Sequence, residues 1–399
     1  MERQFDRINP PHRLKVIMVT VGLETGGTER QILDLSSHLD RSRYDVSVCV
    51  LKREGSMGGE FRDRGIRVLA LGGMGKWDVR VPFRLWRVLR REQPDIVHAF
   101  LFLANIASRI IGRVLKIPVV IGSYRGVEIY GKWPLALIDR VTSSWVHAST
   151  CCSQAVRRSV LARIGGEKGK YVVIHNGIDI LRLEGKTSLS RADIGIGDGV
   201  PIIGTVCRLD EPVKGITSLL QAFQRLLNMP GLGHARLLLV GDGPSRCKLE
   251  DLAKALGIAD HVVFAGMRRD VEKILPLMDL FVSPSQYEGF GIAIVEAMAA
   301  ARPVVATAVG GIPEIVIRGE TGILVPPGDV AELADAMCRV LLDPKTSAAY
   351  GSAGMRRARE QFSMATAAKR HEDLYEDLFS VYAMQERQKI GVAGSASQS

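Results

Sequence analysis

The chain has 399 residues, 46% of them hydrophobic and 24% charged, with six cysteines and a formal net charge of +10 at pH 7. That length and apolar content allow two domains of ordinary size and exclude a single small module. No uncharged apolar run of roughly 18 residues occurs, segment 1–13 is polar, and Cys49, Cys151, Cys152, Cys207, Cys247 and Cys338 lack Cys-x2-Cys or Cys/His spacing, which together exclude a membrane-spanning chain, a secretory leader, a disulfide framework and a structural zinc site.

A cytoplasmic protein is the expectation. The positive charge calls for an anionic partner, a phosphate-bearing ligand or a membrane surface. Nucleic acid is not expected, because the basic residues are dispersed and no aromatic-plus-basic platform accompanies them.

Along the first half, apolar strand-like runs at 13–20, 45–52, 66–71, 95–99, 118–123, 148–153 and 171–175 alternate with helical stretches. Their continuous apolar character marks strands buried on both faces, as in a parallel sheet covered by helices, so the fold class is α/β. After the first run comes Gly22-Leu-Glu-Thr-Gly26-Gly27-Thr28-Glu29-Arg30, leading into a helix over 31–39. The glycine pair allows close backbone approach, and the helix start offers N–H donors to phosphate. The spacing is not Gly-x-Gly-x-x-Gly, and Lys52 stands where a nicotinamide site needs an acid, so a dehydrogenase is disfavoured. In Pro82-Phe-Arg-Leu-Trp-Arg-Val-Leu-Arg-Arg, a helix would set Arg84, Arg87 and Arg91 on one face with Leu85, Trp86 and Leu89 largely opposite. Such a face either rests on anionic lipid headgroups or is simply solvated. His98 ends a buried run, as a hydrogen-bonded core residue or as a group orienting sugar or acceptor. Arg125 follows the run 118–123, and the turn at Asn176-Gly177 closes the first series.

Segment 179–199 turns polar and rich in Gly, Ser, Arg and Asp, and reads as an interdomain linker. A second series follows at 201–207, 235–240, 261–265, 280–283, 303–306 and 322–325. Two doubly wound domains result, and because ligands of such sheets bind outside the carboxyl ends of the strands, facing crevices would form one cleft. Arg208 and Lys214, six residues apart after the first of these runs, suit a pyrophosphate as fork and point charge, although a surface pair is the alternative. Gly241-Asp242-Gly243-Pro244 would line the same crevice. Pro284-Ser-Gln-Tyr-Glu-Gly-Phe-Gly-Ile-Ala-Ile-Val-Glu-Ala-Met places Glu288 in a glycine turn and Glu296 one turn inside a helix over 292–300. Ionised carboxylates only accept hydrogen bonds, so sugar hydroxyls beside a phosphate are natural guests and a nucleotide sugar is indicated. Helices over 330–342, 345–361 (with a possible break at Gly351 or Gly354) and 364–383 precede a polar tail, 384–399, expected to be disordered.

The order Gly26-Gly27, His98, Asn176-Gly177-Ile178-Asp179, Arg208 with Lys214, Gly241-Asp242-Gly243-Pro244, and Glu288-Gly-Phe-Gly with Glu296 resembles the family-four retaining glycosyltransferases of the GT-B fold, over nearly the whole chain. The resemblance implies an N-terminal acceptor-side domain over 1–180, a donor domain over 200–362, and a helix over 363–383 crossing back to the first domain. It implies that Arg208 and Lys214 hold the donor diphosphate without a metal or cofactor, and that Gly26 and Gly27 close over it. Gly241 lines the donor site, Met267 lies at the nucleobase, and Glu288 lies beside the donor sugar. Gly289, Phe290, Gly291 and Ile292 hold sugar and phosphate by their backbone, and Glu296 holds the ribose. Glu288, Arg208, Lys214 and His98 are the catalytic candidates. Many members carry a His where this chain has Arg125, which cannot act as a base and instead suits an acidic or phosphorylated acceptor.

The implied reaction is retaining transfer of a hexosyl-type sugar from a UDP-sugar, or secondarily a GDP-sugar, to a glycan or lipid-linked acceptor in cell-surface or exopolysaccharide assembly. A nucleotide-sugar epimerase of the same fold and a non-catalytic sugar-nucleotide binder are the alternatives; a phosphorylase would need a pyridoxal-binding lysine for which no persuasive position exists.

Overall fold

Leu14–Thr20 (β1) reads Leu-Lys-Val-Ile-Met-Val-Thr, and every side chain but that of Lys15 is buried. A strand apolar on both faces needs cover on both, and the computed structural model, which describes residues 12–74, 78–126, 133–183 and 188–396, supplies it with helices. β1 pairs in parallel with β2 (Tyr44–Lys52) on one side and β4 (Ile96–Phe100) on the other. With β3 (Arg67–Gly73), β5 (Val119–Tyr124), β6 (Ala148–Cys151) and β7 (Tyr171–Val173) they form a seven-stranded parallel sheet ordered β3-β2-β1-β4-β5-β6-β7. The order reverses between β1 and β4, the place where open α/β sheets bind ligands.

The sheet belongs to one of two compact units, Met1–Gly177 together with Met364–Ser399. One face packs Val16, Met18, Ile32, Ile96 and Phe100 with Met364 and Tyr375 of the last helix; the other packs Ile17, Val19 and Val97 with Leu85, Leu89 and Ile111. The last helix is fastened to this unit by Glu372, which accepts from the Asp40 amide at 2.8 Å, and by Glu376, 3.2 Å from the Tyr44 hydroxyl.

The other unit, Ile178–Ser363, contains β8 (Ile202–Val206), β9 (Arg236–Val240), β10 (Val262–Gly266), β11 (Leu280–Ser283), β12 (Val304–Thr307) and β13 (Gly322–Val325). They form a parallel sheet ordered β10-β9-β8-β11-β12-β13, again with a reversal, here between β8 and β11. Each of the thirteen expected strands is present, with ends shifted by at most two residues.

Four expectations are corrected. The polar run 179–199 is not a loose linker: Ile180, Leu183, Ile194 and Ile196 are buried, and the Arg191 guanidinium donates to the Asp279 carboxylate at 2.9 and 3.0 Å and to the Val200 carbonyl at 2.6 Å. The helix Pro344–Phe362 passes unbroken through Gly351 and Gly354, both buried, with Gly354 against Met298. The last helix runs Met364–Ala396, past the expected disorder from 384, because 384–390 consists of helix formers and the first glycine is Gly391. In the helix Arg80–Glu92, Leu85 and Leu89 are buried and Trp86 packs partly buried against the same core, as expected, with its other face on exposed Phe83, but Arg84 turns inward to the Leu71 carbonyl at 2.7 Å and Arg91 pairs with Glu92 at 2.8 Å. Among the described residues no helix is long and apolar enough to cross a membrane.

Beneath β5 of the first unit lies a buried ionic knot. Arg109, 1% exposed, donates to Asp139 Oδ1 at 2.6 Å and to the Tyr124 hydroxyl at 2.8 Å; Tyr124 in turn donates to Asp139 at 3.0 Å, and Arg163 lies 3.2 Å from the second carboxylate oxygen. Removing one partner leaves buried cations uncompensated, which costs about 3–5 kcal/mol. Asp139→Ala is therefore expected to lower the denaturant stability of the first unit by about that amount, and a change below about 1 kcal/mol would show that the knot is solvated.

Candidate functional site

In the second unit the backbone leaves each strand end directly into a loop bonded to its neighbour. Cys207 donates its amide to Val240 at 3.0 Å, Leu209 to Asp242 at 3.0 Å, Gly241 to Gly266 at 2.8 Å, and Gln286 to Val213 at 2.9 Å. The loops after β8, β9, β10 and β11 thus form one layer along the carboxyl edge of the sheet. Two glycines make this layer possible. Gly241 (φ +130°) lies where a Cβ would stand 1.9 Å from the Cys207 carbonyl oxygen, and Gly310 (φ +52°) lies where a Cβ would stand 1.7 Å from that of Glu288. Gly310 escapes sequence reading, because its role comes from a loop that it meets only in the fold.

Lys214 and Glu288 meet on this edge, Nζ to Oε2 at 2.7 Å, with both side chains partly exposed. Read from sequence, they are assigned to different parts of a ligand; folded, they are one ion pair. An ammonium has three donors, so two remain for an incoming anion, and the carboxylate keeps acceptor sites for hydroxyl groups. Arg208 differs: its side chain is 71% exposed and its nearest acid, Asp210, is 3.9 Å away, which leaves its planar fork turned to solvent. Glu288 is further placed by its carbonyl, which accepts from the Gly311 amide at 3.2 Å.

The remaining second-unit candidates fall on the same edge. Met267 follows β10 and is 62% exposed. Gly289 is partly exposed, Gly291 (φ +109°) caps the helix Ile292–Ala299, and Ile292 begins it, so the first amides of that helix lie outside its internal hydrogen-bond ladder. Phe290 is buried against Phe362, ring centroids 5.6 Å apart, so its ring is closed to a ligand. Glu296 is partly exposed one turn into the helix. A cavity of about 530 Å³ lies beside this loop layer, lined by Glu211, Gly215, Gln286 and Tyr287, none of which sequence reading had singled out.

In the first unit, Gly26 is the extended N-cap of the helix Gly27–His38 and Gly27 is its exposed first residue; the helix starts four residues earlier than expected. A cavity of about 570 Å³ at the carboxyl ends of the strands is lined by Gly22, Glu24, Glu29, Lys52, Arg53 and Leu101. Leu101 holds φ +71°, an uncommon conformation for a branched side chain, just after β4. Burial pushes the Glu29 carboxyl above its usual value, and the charge of Glu24 adds to the shift.

His98 is corrected. It occupies the middle of β4, fully buried, with Nδ1 2.7 Å from the Tyr375 hydroxyl and its ring packed on Phe100 and His371. It is a core histidine joining the last helix to the sheet, with no surface for a ligand. Arg125 stands one residue past β5, with its Nη1 donating to Asn176 Oδ1 and its guanidinium 4.9 Å from the centre of the Phe100 ring.

The comparisons with known proteins agree with this architecture. The family model "Glycosyltransferase Family 4" matches residues 25–182, and "Glycosyl transferases group 1" matches residues 200–343. N-acetyl-alpha-D-glucosaminyl L-malate synthase of Bacillus anthracis is 29% identical over 310 residues, 76% of this chain and 80% of that protein. An uncharacterized glycosyltransferase of Methanocaldococcus jannaschii is 30% identical over 271 residues, 64% of this chain and 68% of that protein. Among solved structures, Anabaena HepE in complex with UDP superposes with a TM-score of 0.80 at 23% identity, covering 91% of this chain and 100% of that one. Sucrose-phosphate synthase of Thermosynechococcus elongatus gives 0.76 at 23% identity over 92% of this chain and 100% of that one.

The histidine cluster makes the first unit acid-sensitive. Burial first, and then the proximity of His371 and of the Arg125 charge, drives His98 well below its usual value, and burial pushes His371 down to about 3. Unfolded, both titrate near about 6.5, so below that pH the unfolded chain binds more protons than the folded one. Stability is complete above about 6.5 and falls as pH drops from there toward the folded values, by up to about 1.4 kcal/mol per pH unit for each histidine. Urea unfolding at pH 7.5, 6.5, 5.5 and 4.5 is expected to show this slope, and His371→Gln to lose about half of it; an unchanged slope in the variant would place the titration elsewhere.

Proposed function

The chain belongs to the family 4 glycosyltransferases, has their GT-B fold and is a transferase enzyme, and from that premise we propose that it moves a hexosyl-type sugar from a nucleotide sugar to a glycan or lipid-linked acceptor with retention at the anomeric carbon. The observation that carries the reading is the Lys214–Glu288 pair at 2.7 Å beside the exposed Arg208, on a glycine-rich strand-end layer. Breaking a glycosyl–phosphate bond builds negative charge on the departing diphosphate, and fixed cations at that place lower the barrier. Arg208 and the two free donors of Lys214 take that role. Glu288 accepts from hydroxyls of the donor sugar, Glu296 from the ribose, and the backbone of Gly289 to Ile292 holds phosphate and sugar. Met267 and Gly241 border the nucleoside, and Gly26 and Gly27 act on the acceptor-side unit. A donor phosphate oxygen takes the acceptor proton, so no protein base is needed, in keeping with the burial of His98.

UDP is favoured over GDP because structures of HepE, alike in fold, are described in complex with UDP, with UDP and glucose, and with UDP-glucose. In this reading, with UDP-sugar as substrate, UDP raises the unfolding temperature of the full chain more than GDP does. Loss of a charge-assisted hydrogen bond costs about 1.5–3 kcal/mol, or roughly ten- to a hundredfold. Glu288→Gln is expected to lower kcat by such a factor with donor KM little changed, and Glu296→Gln to raise donor KM by at least tenfold. Equal effects on both parameters in both variants would sink the division of roles, and product of unchanged mass would indicate epimerisation instead of transfer.

The setting we propose is cell-surface or exopolysaccharide assembly on a cytoplasmic membrane face. Its support is the helix Arg80–Glu92, where Arg87 lies over the exposed ring of Phe83, Arg90 over the partly buried ring of Trp86, and Val79 is 85% exposed. A lysine or arginine near anionic headgroups contributes about 1 kcal/mol, roughly fivefold in binding. The full chain is expected to cosediment with phosphatidylserine vesicles at low salt and not with phosphatidylcholine vesicles, and Arg87→Glu with Arg90→Glu to abolish it; equal binding by the variant would remove this helix from the account.

A further inference from the structure

We propose that Arg125 anchors an anionic group, a carboxylate or a phosphate, on the acceptor. The inference rests on the glycosyltransferase reading and names the class of acceptor it serves. Its ground is a contrast inside the first unit. Arg109, the other guanidinium deep in this unit, is answered by Asp139 at 2.6 Å and by Tyr124. Arg125 has no carboxylate within ion-pair distance among the described residues. Its Nη1 meets only the neutral amide oxygen of Asn176, and its buried Nε has no partner.

Among the described residues the groups around it are neutral. The face of Phe100 lies below the guanidinium, the Cys152 thiol donates to the Arg125 carbonyl at 3.4 Å, and Cys151, Tyr375 and the uncharged His98 and His371 lie nearby. Burial pushes the Cys151 thiol up to about 12, so no thiolate supplies the missing charge. His371 Nε2 is a second buried polar atom without a partner. A buried cation is costly unless an anion answers it, and an arginine fork meets carboxylate and phosphate oxygens two at a time.

The location suits an entering ligand. Arg125 is only partly buried and stands at the carboxyl end of β5, with Phe100 ending the adjacent β4 and Asn176 just beyond β7. That edge is the ligand-binding side of an open parallel sheet. Arginine stays protonated at any working pH, so its contribution is binding and orientation of the acceptor and not proton removal.

The test uses the full chain and measures unfolding temperatures in sodium phosphate, sodium malonate and sodium chloride at equal ionic strength, with and without UDP. Wild type, Arg125→Met, Arg125→Lys and Lys214→Met are compared. Phosphate or malonate is expected to stabilise wild type and Lys214→Met, and Arg125→Met to lose that response, equivalent to at least a tenfold weaker affinity by mass action. In chloride Arg125→Met is expected to be no less stable than wild type, since it removes a partly buried charge that no described carboxylate answers. A phosphate-only response marks a phosphorylated acceptor, and a malonate-only response marks a carboxylated one. Equal anion responses in wild type and Arg125→Met, or none in wild type, overturn the proposal. So does a marked loss of stability of Arg125→Met in chloride that Arg125→Lys restores, because the guanidinium would then be satisfied within the fold. Absence of any UDP response in wild type would count against the donor reading alone and leave the Arg125 comparison intact.

Discussion

A parallel sheet buried on both faces leaves no strand position to water, so every polar group on it must find its partner within the fold, and this constraint arranges the rest of the molecule. β4, β5, β6, β11 and β12 are buried at every position, and their neighbours nearly so. Backbone that leaves such a sheet must find hydrogen bonds at once, because unpaired buried amides and carbonyls are costly. In the second unit they find them in one another, loop to loop along the carboxyl edge. The candidate polar residues of that unit, Arg208, Lys214 and Glu288, lie along that edge.

Close-packed loops require glycine where side chains would collide, and Gly241 and Gly310 fill that need against the carbonyls of Cys207 and Glu288. The consequence reaches the chemistry. With the Glu288 backbone held by Gly310 and Gly311, its carboxylate is aimed at Lys214, and the pair offers an anion and hydroxyl groups complementary donors and acceptors within a few ångströms. Arg208, on the next stretch of the same loop layer, remains extended into solvent. One partner is preorganised and the other is free to close on a ligand, which divides placement from capture.

Much of this was legible in the chain. Continuous apolar runs announced all thirteen strands, and strand-terminal glycines announced the edge where candidate residues lie, since both follow from local rules of burial and turn geometry. Three of the misreadings share a cause. Polar composition made 179–199 look like a linker, yet four apolar residues and Arg191 pin it to the second unit. Helical spacing turned Arg84 toward solvent, yet a carbonyl at the end of β3 drew it inward. His98 stood near a strand end in sequence and proved to be a core residue once the last helix brought Tyr375 against it. Each of these three concerns a partner more than ten residues away, beyond the reach of any local pattern.

The sequence by itself determined the α/β class, the two series of strands, the glycine loops and the identities of the carboxylates and cations set among them, because these depend on hydrophobic period and residue chemistry within short windows. Only the tertiary structure decided which charges are answered. Lys214 is answered by Glu288 and Arg109 by Asp139, whereas Arg125, as cationic as either, has among the described residues only an amide oxygen and an aromatic face. Ion pairing depends on distance through space across residues 30 to 74 positions apart in these pairs, and folding alone sets that distance.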